Sequence, residues 1–180
     1  MWRRILSVVL SVAYPFVVWA GLKFWGLNAL IVLITLLCLI NLFLRPDRIN
    51  FLLFGVVLCL GAASFLSEVS LPLKLYPVAV NGVLLCTFAL SLVNPPSVIE
   101  RLARLRDKNL PQKAIAYTRN LTVIWCGFFI ANGSVALWTA LAATDEIWAL
   151  YNGFIAYVLI GLLLGGEVIV RRFFIASAQD

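Results

Sequence analysis

Long uninterrupted apolar runs, separated by short polar segments, dominate the pattern along this chain. Each run is close to the length of about 20 apolar residues that a transmembrane α-helix needs. The runs are continuous, whereas the strands of a transmembrane β-barrel alternate apolar and polar positions. The pattern therefore predicts an all-α polytopic membrane helix bundle that forms a single domain over residues 1–180. We place its six transmembrane helices, or spans, at 5–22, 27–44, 51–67, 75–93, 121–142 and 147–170.

The composition supports a membrane protein. The chain is 63% hydrophobic and 12% charged, whereas a soluble domain carries about 25% charged residues. This leaves too little polar surface to coat a soluble globule. The first run follows Arg3 and Arg4, as the apolar run of a signal peptide does. Because Pro15 closely follows the only passable cleavage site, we expect this run to be retained as span 1.

The basic residues predict the orientation of the bundle. With the N-terminus inside, only Lys23 and Lys74 lie on the outer side, and the other twelve of the fourteen Lys and Arg residues lie on the cytoplasmic side. An excess of Lys and Arg in cytoplasmic loops is the main determinant of membrane topology. Both termini are therefore expected in the cytoplasm. The twelve are Arg3, Arg4, Arg45, Arg48, Arg101, Arg104, Arg106, Lys108, Lys113, Arg119, Arg171 and Arg172.

The one long polar segment, residues 94–120, becomes a cytoplasmic loop in this orientation. Ser97 and Glu100 form an S-x-x-E capping box, which predicts a helix over 97–108. This helix is amphipathic and basic, as expected of a helix at the membrane surface. The loop is either a topology signal whose cations reach lipid phosphates, or a docking site for an acidic partner or an anionic lipid head group. The candidate binding residues are Arg101, Arg104, Arg106, Lys108, Lys113 and Arg119.

Polar residues inside the spans are candidates for function, because polar groups are costly in hydrocarbon. An Asn-Gly pair occurs in each of spans 4, 5 and 6, in the outer half of the span. The glycines are expected to let the helices approach one another closely. The cluster either holds the bundle together by interhelical hydrogen bonds or lines a cavity for an amphiphilic ligand. Its predicted members are Asn81, Asn132, Asn152, Tyr76 and Tyr151.

Span 6 carries two further features. Glu167 precedes Arg171 by four residues, a favourable order for a helix ion pair; alternatively, Glu167 faces the bundle and pairs with Arg119 or Arg101. The glycines at 161 and 165 form a GxxxG motif, which favours close packing within the bundle or across a homodimer.

Residue types that carry much of enzyme chemistry are scarce. The chain contains no histidine, which excludes histidine-box metal sites and His-dependent acyl or phosphoryl transfer from this chain alone. The four cysteines, with no CxxC spacing, lie in apolar runs and are interpreted as small buried hydrophobes. We therefore predict no catalytic residues, no metal site, no cofactor and no nucleic-acid partner, and the chain is more typical of a non-enzyme.

The C-terminal half, roughly 75–172, resembles a family of small uncharacterised inner-membrane proteins of Gram-negative bacteria. The resemblance rests on Tyr76-Pro77-Val78, on Asn94-Pro95-Pro96 with the loop helix that follows, on Trp125-Cys126-Gly127, and on Tyr151-Asn152-Gly153. Members of that family are encoded among genes for aryl-polyene and fatty-acid-synthase-like lipid assembly. The resemblance implies a multi-pass protein of the bacterial inner membrane, with acyl carrier proteins and other lipid-assembly enzymes as neighbours.

Three functions remain open at this point. The first is an accessory membrane protein that supports the assembly or handling of a polyene or fatty-acyl lipid through its basic loop. The second is a small transporter or flippase for a lipid or another amphiphile, using the Asn-Gly cluster. The third, with the least support, is a membrane-embedded acyl or glycosyl transferase using Glu167. The expected partners are membrane lipids, an acyl carrier protein or related enzyme, and a second copy of the chain.

Overall fold

The computed structural model describes residues 26–44, 48–67, 71–105 and 107–176, and the side chains of 31–44, 48–66, 71–105 and 107–170. These residues form helices joined by short turns, and no strand occurs among them. The helices are α1 (Gly26–Leu44), α2 (Arg48–Ser67), α3 (Leu71–Lys74), α4 (Tyr76–Val93), α5 (Val98–Arg104), α6 (Gln112–Ala142), α7 (Asp145–Leu150) and α8 (Ala156–Ala176), with a π-helical turn at Tyr151–Ile155 between α7 and α8. The all-α class is confirmed.

Four helical segments are long and apolar enough to cross a membrane, and the last four predicted spans lie within them. These segments are Arg48–Leu66, Leu71–Val93, Gln112–Ala142 and Asp145–Val170. Predicted span 27–44 coincides with α1. The predicted membrane helix bundle is therefore confirmed. Predicted span 5–22 lies outside the described residues, so the count of six stays a prediction.

The central element is α6, because one of its faces is buried along most of its length. Spacings of three and four residues place these side chains on one helix face. Polar residues lie towards both ends of this face, and aromatic residues lie in its middle. The buried residues are Thr118, Leu121, Thr122, Trp125, Phe129, Asn132, Ala136, Thr139 and Ala140.

Helix α4 is the main neighbour of α6, and the two approach closely at Gly133. A Cβ atom at Gly133 would lie 3.1 Å from the Cβ of Asn81. This is tighter than an ordinary van der Waals contact, so a larger residue at this point of the interface requires the neighbouring helix to shift. The expectation of close approach is borne out at Gly133 but is wrong at Gly82, which faces open space.

An aromatic cluster fills the middle of the α4–α6 interface. The ring of Phe88 on α4 stacks edge-on against Phe129, with centroids 5.1 Å apart. Trp125 lies one turn away on α6, with its centroid 5.6 Å from that of Phe129. Ile160 and Leu163 of α8 pack against the same cluster. Packing of this kind stabilises helices in a bilayer, where no hydrophobic effect drives them together.

Short helices tie together the end of the bundle that is predicted to face outwards. The backbone N–H of Leu73 in α3 donates to the hydroxyl of Ser64 in α2 at 3.0 Å. The indole Nε1–H of Trp148 in α7 donates to the carbonyl oxygen of Lys74 at 3.1 Å. Lys74 also forms an ion pair with Asp145, at the start of α7. The turn between α6 and α7 is thereby fixed against the start of α4.

Candidate functional site

Three of the predicted polar residues form one chain of hydrogen bonds across α4, α6 and the π-helical turn. The amide of Asn81 donates to the carbonyl oxygen of Pro77 at 2.8 Å. Asn132 Nδ2 donates to Asn81 Oδ1 at 3.1 Å. The hydroxyl of Tyr151 donates to Asn132 Oδ1 at 3.0 Å. Asn81 and Asn132 are both buried. The chain links three segments that are distant in sequence.

Asn152 lies next to Tyr151 but makes a separate contact with α6. Its Nδ2 donates to Thr139 Oγ1 at 3.1 Å and to the carbonyl oxygen of Trp148 at 2.9 Å. Because Asn132 and Thr139 are seven residues apart, they lie two turns apart on one face of α6. The π-helical turn is therefore joined to α6 at two levels. Thr139 carried no signal in the sequence beyond its helical register with Asn132.

Tyr76 does not join this network. Its hydroxyl lies 3.9 Å from Cys38 Sγ in α1, and it packs beside the buried cluster that contains Trp148. Tyr76 and Asn81 are five residues apart, which separates them by about 140° around α4. They consequently face different neighbours.

The polar side chains of this cluster form hydrogen bonds to one another and to backbone carbonyls of the same protein. In the described part of the chain, no buried side-chain nitrogen or oxygen lacks a hydrogen-bond partner. Exposing these groups to a ligand would require breaking bonds between helices. The geometry therefore favours the interpretation as an interhelical link, while ligand binding at the cluster stays a prediction.

The loop over 94–120 contains α5, which is shorter than predicted. Ser97 caps it by accepting a hydrogen bond from the backbone N–H of Glu100 at 3.3 Å. The helix ends at Arg104, so the expectation that it continues to residue 108 is wrong. Asp107 Oδ1 accepts from the N–H of Asn109 at 2.9 Å. Such an Asx turn competes with helix continuation.

Glu100 and Arg104 form an ion pair within α5. Arg104 Nε and Nη2 lie 2.8 and 2.7 Å from Glu100 Oε1. The carboxylate is buried, with 8% of the side chain exposed, whereas 38% of Arg104 is exposed. The charge of Arg104 is thus largely compensated inside the protein. Sequence reasoning treated Glu100 as a cap only, although its i,i+4 order with Arg104 is a signal for this pair.

Arg101 and Arg119 both bind the C-terminal end of α4. Arg101 Nε donates to the carbonyl of Pro96 at 2.7 Å, and its Nη2 donates to that of Asn94 at 3.4 Å. Arg119 Nη1 donates to the carbonyl of Leu92 at 3.4 Å. Both side chains remain exposed. The C-terminus of a helix carries partial negative charge, so cations are favourable there.

The remaining loop cations are Lys108 and Lys113, which are both exposed. They flank the turn that connects α5 to α6. Arg106 lies outside the described residues, so its predicted role in binding stays a prediction. The five described members of the predicted set are therefore a compensated arginine, two arginines at the end of α4, and two exposed lysines, Lys108 before the start of α6 and Lys113 in its first turn.

The apolar side chains of α5, and of Leu105 directly after it, point in two directions. Ile99 packs on the aromatic cluster beneath the helix. Leu102 and Leu105 point outwards and are 57% and 85% exposed. In a membrane, this exposed face can lie in the interface between head groups and acyl chains.

The features predicted on span 6 lie on α8. Glu167 is half-buried, and the side chain of Arg171 lies outside the described residues, so their ion pair stays a prediction. A Cβ at Gly161 or Gly165 would meet nothing within 4 Å. Among the described residues, the GxxxG motif therefore makes no close helix contact, and the homodimer through span 6 stays a prediction.

No group of three or more Cys, Asp or Glu residues that could hold a metal occurs within the described ranges. The four cysteines have free thiols, but Cys59 and Cys86 are exposed and Cys38 and Cys126 are only partly buried, so the expectation that they are buried is wrong.

Comparison with known proteins supports a membrane location. No protein-family model and no solved structure matches the chain. The chain is similar to the inner membrane-spanning protein YciB of Marinomonas sp. (strain MWYL1), with 28% identity over 124 residues that make up 67% of this chain and 67% of that protein. Together with the long apolar helices, this likeness identifies the chain as a multi-pass inner-membrane protein.

Proposed function

We propose that this chain is an accessory inner-membrane protein that supports the assembly or handling of a fatty-acyl or polyene lipid, and that its cytoplasmic loop docks an acidic protein partner. The supporting observation is the exposure of Lys108 and Lys113, which flank the turn between α5 and α6. The resemblance to proteins encoded beside lipid-assembly genes suggests an acyl carrier protein as the partner, because such carriers are acidic.

The charge of the loop suits such a partner. Residues 94–120 contain six Lys and Arg residues, and only Glu100 and Asp107 are acidic. Complementary charge accelerates encounter and orients a partner, whereas like charge excludes wrong partners. At physiological ionic strength these fields are screened beyond about 8 Å, so docking needs direct approach to the lysines.

The structure refines the choice of variants for a test. Arg104 is a poor probe of docking, because its removal would leave the Glu100 carboxylate buried without a partner. Lys108 and Lys113 are exposed, so replacing them by glutamine changes charge with little effect on packing. Arg48 at the start of α2 is also exposed and is predicted to lie on the same side. Arg48→Glu lowers the net charge by the same two units and is the matched control.

The experiment is capture of partners on the detergent-solubilised protein, with identification by mass spectrometry. Wild type and Arg48→Glu should retain an acyl carrier protein or a lipid-assembly enzyme. Lys108→Gln/Lys113→Gln should lose it at an unchanged protein level. Equal partner lists in all three samples would refute docking at this turn and leave the loop as a topology signal.

A transporter or flippase is the second candidate, and the buried polar cluster is the observation that favours it. Alanine at Asn81, Asn132 and Asn152 should then block export of the lipid product without lowering the amount of folded protein. Normal export by this triple variant would count against transport and support the interhelical link.

A further inference from the structure

Two exposed arginines converge on one helix end at the level where α4 leaves the membrane. Arg101 binds the carbonyl oxygen of Asn94, and Arg119 binds that of Leu92, in both cases at 3.4 Å. Leu92 and Asn94 are two residues apart, so their Cα atoms are separated by at most about 7.6 Å. The two guanidinium groups come from different elements, α5 and the first part of α6.

Each guanidinium has donors left for a further ligand. Arg101 uses Nε and Nη2 for its contacts with the backbone, and Arg119 uses Nη1. A guanidinium offers a planar fork of N–H groups that matches the oxygens of a phosphate. The backbone carbonyls provide only partial negative charge, whereas the two side chains bring two full positive charges. An anion at this point would balance that excess.

The surroundings of the pair are apolar on the membrane side. Leu90 and Val93 on the last turn of α4 are 62% and 77% exposed. Leu102, next to Arg101 on α5, is also exposed. A ligand that contacts both the arginines and these side chains needs a phosphate and a hydrocarbon chain, which is the chemistry of a phospholipid.

We propose that Arg101 and Arg119 together bind the phosphate of an anionic phospholipid in the cytoplasmic leaflet, with its acyl chains along Leu90 and Val93. Charge-assisted hydrogen bonds from Arg to phosphate hold the head group. The acyl chain covers apolar side chains that water would solvate poorly. This site goes beyond the docking of a protein partner, and it uses none of the lysines on which that proposal depends.

The test measures lipid binding by native mass spectrometry of the purified protein after delipidation in neutral detergent. The probes are phosphatidylglycerol, which is anionic, and phosphatidylcholine, which has a phosphate but no net charge. The variants are Arg101→Gln, Arg119→Gln and their combination. Arg48→Gln is the matched control, because it is an exposed arginine on the same predicted side and undergoes the same substitution.

We expect the wild type and Arg48→Gln to bind phosphatidylglycerol at least about tenfold more tightly than the double variant. Phosphatidylcholine should bind weakly to all of them. Arg101→Lys/Arg119→Lys should bind with intermediate affinity, because it keeps the charge but loses the planar fork. A melting temperature for each variant shows that weaker binding does not come from unfolding.

Several results would overturn the proposal. Equal loss of phosphatidylglycerol in Arg48→Gln would show that only overall charge matters. Unchanged binding in the double variant would place the lipid elsewhere. Displacement of the lipid by millimolar inorganic phosphate would indicate a site for a free anion. Failure of this test would leave partner capture by Lys108 and Lys113 unaffected, so the two proposals are judged separately.

Discussion

The side-chain amide of Asn132 donates a hydrogen bond to the amide oxygen of Asn81 at 3.1 Å, across the interface between α6 and α4. Both residues are buried. The bond lies beside Gly133, where the two helices approach closely, and it continues to the π-helical turn through Tyr151. Asn residues that the sequence marks only as local Asn-Gly pairs thus connect three segments that are distant in sequence.

The bond predicts energetic coupling between Asn81 and Asn132. Alanine at either position should lower the free energy of unfolding, because it leaves a buried polar group without its partner. The double variant should be less destabilised than the sum of the two. The expected coupling is about 0.6 kcal/mol, and at most about 1.7, as for other interhelical hydrogen bonds in membranes.

The measurement is a double-mutant cycle by denaturant unfolding in detergent micelles. Ser134→Ala is the control, because Ser134 is exposed and donates to the carbonyl of Ile130 within α6. It should change stability little. Strict additivity of the two Asn substitutions would contradict the coupling.

Gly133 and Gly82 should differ in their response to alanine. A Cβ at Gly133 would lie 3.1 Å from the Cβ of Asn81, whereas a Cβ at Gly82 meets nothing within 4 Å. Gly82→Ala should be neutral or stabilising by up to about 1 kcal/mol, since alanine favours the helix. Gly133→Ala should be less stable than Gly82→Ala by about 1–3 kcal/mol, because the helices must move apart.

Thermal and denaturant unfolding of these two variants measures the difference directly. The wild-type residues are both glycines that neighbour an Asn of the network, so each variant is a control for the other. Equal stability of the two would show that α4 and α6 do not approach at Gly133.

Because Glu100 and Arg104 form an ion pair, removing the charge of Arg104 alone should destabilise the protein more than removing both charges. Arg104→Ala leaves the Glu100 carboxylate buried and uncompensated. Because Arg104 is 38% exposed, the cost should stay near about 1–2 kcal/mol, below that of a fully buried pair. Glu100→Gln/Arg104→Gln should restore part of the stability, since no charge is then buried.

Protease sensitivity of the loop, together with the melting temperature, reports on this pair. The single variant should be cut faster than the wild type, and the double variant should fall between them. A double variant that is cut faster than Arg104→Ala would refute the role of the uncompensated carboxylate.

Trp148 should contribute more to stability than the ion pair beside it. Trp148→Ala removes a buried ring and should cost about 3–5 kcal/mol. Trp148→Phe keeps most of the volume but loses the bond to the carbonyl of Lys74, at a cost of about 1 kcal/mol. Asp145→Asn should cost no more than about 1 kcal/mol, because Asp145 is 56% exposed and water screens its charge.

These three variants are to be ranked by unfolding in one detergent. A larger loss for Asp145→Asn than for Trp148→Ala would show that the ion pair, and not the indole, holds α7 against the start of α4.

The sequence predicts the helices well and their lateral contacts poorly. An apolar run of bilayer length has few alternatives to a helix, since every backbone group must be satisfied within the membrane. The neighbours of a side chain depend on helix phase and on which helices meet. Tyr76 illustrates this, because it shares α4 with Asn81 but contacts Cys38 of α1.

The loop shows a second limit of sequence reasoning. Its cations were predicted as one binding set from their number and proximity. The structure separates them, because Arg104 pairs with Glu100 and because Arg101 and Arg119 bind the end of α4. The i,i+4 spacing of Glu100 and Arg104 was readable in advance. The contact from Arg119 to Leu92, 27 residues earlier, was not.

The central claim is that Lys108 and Lys113, which flank the turn between α5 and α6, dock an acidic carrier protein. A binding measurement between purified components tests this claim most directly. The protein is placed in phosphatidylcholine nanodiscs and titrated with an acyl carrier protein from the source organism at two salt concentrations. The account predicts saturable binding that weakens with salt and is at least about tenfold weaker for Lys108→Gln/Lys113→Gln than for Arg48→Glu. No binding, or equal binding by the two variants, would contradict it.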